Sequence, residues 1–226
     1  MLLWSRATVR TGTAGDAFFL TWRSAVSSSP TTTSALRRAL RRTLRARRAT
    51  LRPAERARAE RLILAHVARL PLLRPNAAIG LYLSRGTEVS TVALRTLVKR
   101  HGCRVFLPRI ISYDLHRCVF AADSRMPMRL NRFRIAEPTG SSRINARTMA
   151  VVLLPLVGFD NAGNRLGNGA GYYDRLLAFR HGIRGAPLLI GLAFECQRLS
   201  VIDHAPHDIP LDAVITENGL QIFYRE

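Results

Sequence analysis

Residues 35–226 read as a single α/β domain of three layers, a mostly parallel sheet flanked by helices. Two observations predict it. Short apolar runs alternate with amphipathic stretches in the order strand, helix, strand, at the spacing of parallel crossover units. A glycine-dense run, Gly158–Gly171, stands between the apolar run Val151-Val152-Leu153-Leu154-Pro155 and a helix start at Tyr172, holding five of the chain's fifteen glycines. Loops of that kind present backbone N–H groups to an anion in α/β proteins.

Residues 1–34 differ from the rest. They carry Arg6, Arg10 and Arg23 against one acid, Asp16, with hydroxyl clusters at 27–29 and 31–34. Basic, hydroxyl-rich, acid-poor composition ahead of a domain is that of an organelle transit peptide, so the expectation is a mitochondrial presequence. A disordered extension, or an upstream start codon that the cell does not use, fits the same composition and would leave the protein cytoplasmic.

A helix begins at Ser34, with Leu36, Leu40 and Leu44 at i, i+4 spacing and arginines on its other faces to Arg48. Pro53-Ala54-Glu55 suits the first turn of a second helix, which runs to about Leu70 before Pro71 and Pro75. Ala77–Leu83 reads as a strand, Thr91–Arg100 as a helix, and Cys103–Leu107 as a strand ending before Pro108. Residues 112–150 are weaker, with a strand at Arg117–Ala121 and then loops. Strands at 151–154, 188–193 and 213–216 and a helix at 172–180 complete the alternation.

Composition bounds the function. At 226 residues with 47% hydrophobic and 22% charged content the chain suits one globular domain. No apolar stretch reaches the roughly 18 residues of a membrane span, so a soluble protein is expected. Net charge is +20, and all the basic residues but Lys99 are arginine. The excess lies in the front two-thirds; residues 151–226 carry six basic and eight acidic side chains. Such a field attracts phosphates, polyanionic small molecules, nucleic acid or anionic membrane alike. Cys103, Cys118 and Cys196 are far apart in sequence, which argues against zinc and a disulfide framework and suits a reducing compartment.

The glycine run matches neither G-x-x-x-x-G-K-[ST] nor G-x-G-x-x-G. A tight packing turn would also explain it, but the ending Tyr172-Tyr173-Asp174 favours a ligand, because exposed aromatics and a carboxylate are poor choices for packing alone. Leu154–Asp160 followed by Gly163-Asn164-Arg165-Leu166-Gly167-x-Gly169-x-Gly171-Tyr172-Tyr173-Asp174 resembles the 5-formyltetrahydrofolate cyclo-ligase family. Arg37–Arg41, Tyr82-Leu83-Ser84 with Glu88-Val89, Phe133-x-Ile135-x-Glu137-Pro138, and His207-Asp208-x-Pro210-Leu211-Asp212 match in the same order. The resemblance covers roughly residues 36–220.

The resemblance implies a Rossmann-like sheet of NagB/RpiA/CoA-transferase-like topology. It also implies ATP- and Mg²⁺-dependent closure of 5-formyltetrahydrofolate, with or without a polyglutamate tail, to 5,10-methenyltetrahydrofolate, giving ADP and phosphate. Phosphorylation of the formyl oxygen would be followed by attack of the substrate's own N10, so the enzyme needs positioning and charge neutralisation rather than a nucleophile. ATP would lie against Arg37, Arg38, Ala39, Leu40, Arg41 and Arg45 of the first helix and the loop Arg165, Leu166, Gly167, Asn168, Gly169, Ala170, Gly171, Tyr172 and Tyr173. The folate would meet Leu83, Glu88, Phe133 and the Asn168–Tyr172 stretch. Arg165 and Tyr172 are the expected catalytic residues, and Asp174 and Asp208 the Mg²⁺ carboxylates, with Asp212 second choice. A monomer with no nucleic-acid or membrane partner is expected. Two departures stand out: Arg37 where the family has lysine, and Asn168 where it has a bulkier residue. A folate-binding relative without activity and an arginine-rich RNA-binding module are the competing readings.

Overall fold

The computed structural model describes residues 30–124, 127–183, 185 and 187–224. The presequence reading falls outside them except at residues 30–34, where the backbone is already helical. The chain divides into Met1–Leu36 and Arg37–Glu226; the domain discussed below is the second.

Helix α1 (Pro30–Ala49) is followed by α2 (Pro53–Ala68), which starts on Pro53 with Glu55 Oε2 accepting from the Arg52 N–H at 3.0 Å. The central sheet then assembles from β1 (Ala78–Gly80), β2 (Arg104–Ser112), β3 (Arg117–Ala122), a two-residue β6 (Arg143–Ile144), β7 (Val151–Pro155), β10 (Leu188–Leu192), β11 (Ala213–Thr216) and β12 (Gly219–Ile222). Two hairpins stand outside it: β4 (Met128–Leu130) with β5 (Ala136–Pro138), and β8 (Gly158–Phe159) with β9 (Arg165–Leu166). Helix α3 (Val92–Arg100) joins β1 to β2, and the short α4 (Tyr172–Leu176) lies between β7 and β10.

The sheet order is β12-β11-β10-β7-β1-β2-β3-β6. The five middle strands pair in parallel, and β12, β3 and β6 pair antiparallel at the edges. Alternation along the strands builds two cores. Ile79, Val105, Val151, Leu153, Ile190 and Ile215 face α2 and α3, which bury Ile63, Val67, Leu94 and Val98. Val152, Leu154, Phe106, Leu189 and Val214 face the other way, onto Phe120, Phe159 and Leu177. The expected three-layer α/β architecture is what forms.

Several boundaries differ from expectation. β1 stops at Gly80, because the chain turns out of the ladder once Leu81 N–H has bonded Phe106 O at 2.9 Å. β2 runs through Pro108 to Ser112: β1 ends opposite Phe106, so the missing proline N–H disrupts no ladder bond on that side. The residues expected to be loops after Ala121 contain β4, β5 and β6, whose runs of two or three residues give too little alternation to read. The helix at 172–180 is α4 followed by a 3₁₀ turn at Ala178–Arg180; Leu177, buried at φ −106°, leaves helical geometry to reach the core.

Candidate functional site: an arginine-faced glycine loop

In the sheet, β1 leads through α3 to β2 on one side, while β7 leads through α4 to β10 on the other. Adjacent parallel strands whose connections diverge leave a crevice beyond their carboxyl ends, the place where open α/β sheets bind ligands. Two loops emerge there: residues 81–91 after β1, with Leu83 and Glu88, and the glycine loop after β7.

The hairpin β8–β9 organises the glycine loop. Asp160, almost fully buried, accepts from Ala162 N–H (3.0 Å), Asn164 N–H (2.9 Å), Asn164 Nδ2 (2.9 Å) and Ile202 N–H (2.9 Å), which fixes the turn. Beyond β9 the chain passes through Gly169 at φ +110° and Gly171 at φ +68°, conformations that a side chain would strain. Among the described residues, no hydrogen bond uses the backbone N–H groups of Gly167, Asn168, Gly169, Ala170 or Gly171. Consecutive uncommitted donors of this kind are what an anion site needs.

Helix α1 brings guanidinium groups to this loop. Leu40 and Leu44 pack with Val157, Leu166 and Ile202, seating the helix on the hairpin. Arg41 Nε donates to Gly167 O at 2.8 Å, and its guanidinium carbon would lie 3.5 Å from a Cβ placed on Gly169. Arg45 Nη2 donates to the side-chain oxygen of Asn168 at 3.1 Å, and Arg37 Nη1 to Asp208 Oδ2 at 2.7 Å. Arg38 and Ala39 lie exposed on the flank. Burial pushes Arg41 below its ordinary pKa, and the like charges of Arg37 and Arg45 push it further. A bound anion would relieve that crowding.

Arg165 is nearly fully buried. Its Nε donates to Ile209 O at 3.0 Å and its Nη2 to Asp174 Oδ1, so most of the guanidinium holds protein groups rather than facing the crevice. Its Nη1 lies against Gly167, 3.2 Å from where a Cβ would stand. Leu166 and Leu40 belong to the apolar seat of α1, and Tyr173 packs on the second core.

Asp174 and Asp208 are linked through the intervening chain, because Ile209 N–H donates to Asp174 Oδ1 at 3.2 Å. Asp208 Oδ2 takes Arg37 and the Ala205 N–H (2.8 Å). Among the described residues, Asp208 Oδ1 and Asp174 Oδ2 accept nothing. Burial by itself would raise the Asp208 carboxyl, but the Arg37 and Ala205 donors hold it below the usual range. No cluster of three or more metal-ligating side chains occurs among the described residues. Two carboxylates, each with one uncommitted oxygen, still fit an ion that takes its other ligands from phosphates and water.

On the other side of the crevice Glu88 accepts from Asn168 Nδ2 at 3.2 Å and from Arg85 N–H at 2.9 Å. Its loop is held by Arg48, which reaches Thr87 Oγ1 (3.0 Å), and Arg56, which reaches Thr87 O (2.6 Å). Leu83 is half-buried against the first core. Tyr172 meets His116 edge-on at 5.5 Å and Phe133 at 6.4 Å; Phe133 meets Tyr113 at 5.9 Å, and Arg132 covers Tyr113 at 3.9 Å. The Tyr172 hydroxyl is buried without a hydrogen-bond partner among the described residues, and burial raises its pKa.

Sequence reasoning missed Arg48, Arg56, Tyr113, His116 and Arg132. Arg48 continues the row of Arg37, Arg41 and Arg45 and was legible there. Arg56 comes from α2, and Tyr113, His116 and Arg132 are brought in by the turns of the β2–β3 and β4–β5 hairpins, which local pattern does not reveal.

Comparison with known proteins gives the family and the fold. Residues 33–217 match the model of the 5-formyltetrahydrofolate cyclo-ligase family. The chain is 32% identical over 178 residues to a 5-formyltetrahydrofolate cyclo-ligase of Haemophilus influenzae, covering 77% of this chain and 94% of that one. It shares 38% identity over 76 residues with a relative from Arabidopsis thaliana named as mitochondrial, 30% of this chain and 27% of the relative. The solution structure of Aquifex aeolicus 5,10-methenyltetrahydrofolate synthetase superposes with a TM-score of 0.73 at 27% identity, over 84% of this chain and 94% of that one.

Proposed function

The chain belongs to the 5-formyltetrahydrofolate cyclo-ligase family, and from that premise we propose how its residues perform the reaction. It is an ATP-dependent ligase that converts 5-formyltetrahydrofolate to 5,10-methenyltetrahydrofolate. A formamide carbonyl is a poor electrophile and its oxygen a poor leaving group; ATP supplies the phosphoryl group that cures both faults.

The protein's task is alignment. The free N–H groups of Gly167–Gly171 take the terminal phosphates, and Arg41, Arg45 and Arg37 neutralise their charge. Asp174 and Asp208 would hold Mg²⁺, which would supply charge compensation for the phosphates. Because Arg165 is buried, its part is to orient Asp174 and the Gly167 backbone. Glu88 takes the hydrogen-bonding edge of the pterin, Leu83 flanks it, and Tyr172 and Phe133 give aromatic faces to the substrate rings. The Tyr172 hydroxyl, buried beside Arg132, is placed to meet a substrate atom. The substrate's N10 then attacks the activated carbon and phosphate departs, so no side-chain nucleophile is required. Cys118, in contact with the Tyr172 carbonyl, is no candidate: burial pushes its thiol up to about 12.

One contact carries the reading, the Arg41 Nε to Gly167 O bond that sets the arginine face of α1 on the glycine loop. Mixing the protein with ATP, Mg²⁺ and 5-formyltetrahydrofolate is expected to generate the near-ultraviolet absorbance of the methenyl product. No product, with the protein folded, would overturn the assignment. A mitochondrial location is supported by the composition of residues 1–34 and by the mitochondrial relative; sequencing the N-terminus of the protein recovered from that organelle tests it.

A further inference from the structure

Beyond the aromatic pair of Phe133 and Tyr172 lies a cavity of about 470 Å³ between the edge of β2 and the β4–β5 hairpin. It is lined by Arg109, Arg129 and Arg132 with a single acid, Glu137. Glu137 is already committed, since its Oε1 accepts from Ile110 N–H at 3.0 Å and Asn131 Nδ2 at 2.7 Å. Arg109 is half-committed through Gly140 O at 2.8 Å. Arg129 and Arg132 are exposed, and among the described residues no carboxylate lies within ion-pair distance of either. Arg132 is further ordered by stacking over Tyr113, at 3.9 Å, and near Phe133, at 5.0 Å. A pre-stacked guanidinium with no carboxylate partner among the described residues suits planar carboxylates.

A row of aromatic rings leads from the site to the cavity. Tyr172 follows the glycine loop directly, Phe133 stands 6.4 Å from Tyr172, and Tyr113 stands 5.9 Å from Phe133 on the cavity wall. A ligand laid along this line has its reacting end at the glycine loop, flat rings over the aromatics and an anionic end among the arginines. The substrate has that layout: pterin, then benzoyl ring, then a glutamate with two carboxylates. We infer that Arg129 and Arg132, with Arg109 behind them, form the subsite for the terminal carboxylates of the folate. This rests on the cyclo-ligase reading and deepens it.

The test compares 5-formyltetrahydropteroate, which lacks glutamate, with the mono- and pentaglutamate forms of 5-formyltetrahydrofolate. Arg129→Gln and Arg132→Gln are each expected to lower kcat/KM for the monoglutamate about tenfold through KM, as loss of a charge-assisted contact should. With Arg129→Gln the pteroate analogue should be turned over as before and the KM for ATP should hold, and Arg129→Lys should retain most of the preference. The pentaglutamate should be hurt at least as much as the monoglutamate. Parallel losses on all three substrates, or none, would overturn the subsite. A wild-type protein that closes none of them would instead sink the cyclo-ligase reading, and the subsite with it.

Discussion

Arg41 and Arg165 show how the same side chain takes different work from its surroundings. Arg41 is half-buried beside two like charges and touches the loop carbonyl of Gly167, so its charge is held ready for an anion. Arg165 is sunk between Asp174 and the Ile209 carbonyl, and acts through what it holds in place. Arg41→Ala is therefore expected to raise the KM for ATP by about 10- to 100-fold, near 1.4–2.7 kcal/mol, with little change in Tm. Arg41→Lys should recover part of it, since a point charge replaces a fork. Isothermal titration with a non-hydrolysable ATP analogue separates the two variants; equal affinity for wild type and Arg41→Ala would exclude the assigned contact. The motif residues around Gly169 were legible because glycine spacing is local. Arg165 pointing inward was not, because its partner Ile209 lies far along the chain.

At the scale of elements, α3 is tied to the end of β3 by one buried carboxylate. Asp123 accepts from Arg95 through both oxygens and from Lys99 at 2.8 Å, with its side chain fully buried. Burial alone would raise the Asp123 carboxyl, but hydrogen bonds and charge from Arg95 and Lys99 carry it below the usual value. A carboxyl with a depressed folded-state pKa contributes stability above its unfolded value near ~3.9, lost as pH falls through the folded one. Asp123→Asn should cost about 2 kcal/mol at pH 7, discounted because Arg95 and Lys99 are part-exposed, and progressively less towards about pH 3. Urea unfolding of both proteins across that range checks it; a pH-independent difference would refute the ion-pair explanation. The same element shows where reading by pattern stops. Helices α2 and α3 and strands β7 and β11 announce themselves by period and by their proline or glycine stops. Hairpin β4–β5 is set by pairing Arg129 with Glu137 and by Glu137 bonding β2, relations between distant residues that leave no local period.

Over the whole molecule, a net charge of +20 sits on a fold whose ligand crevice is itself lined with arginine. Like charge repels itself across the surface, whereas it attracts a polyanionic nucleotide to the crevice. Added salt should act on the two in opposite directions. Between about 0.05 and 0.5 M sodium chloride the KM for ATP should climb several-fold as screening shortens the field, while the thermal midpoint rises. Paired kinetics and calorimetry on one preparation measure both, and a KM indifferent to salt would argue that long-range attraction plays no part. The sheet order, with β1 and β7 side by side, put the crevice where it is, and strand alternation alone could not have told which strands would be neighbours.

The bond between Arg37 and Asp208 joins positions 171 residues apart. A chain leaving the ribosome has therefore displayed its arginine helix long before the carboxylate that clasps it has been synthesised. Until then Arg37 lacks the carboxylate that holds it, so the arginine face of α1 is set for a nucleotide only after Asp208 has been made. Binding of ATP to nascent chains of graded length would appear abruptly once Asp208 clears the exit tunnel, making the ligand a gauge of that closure.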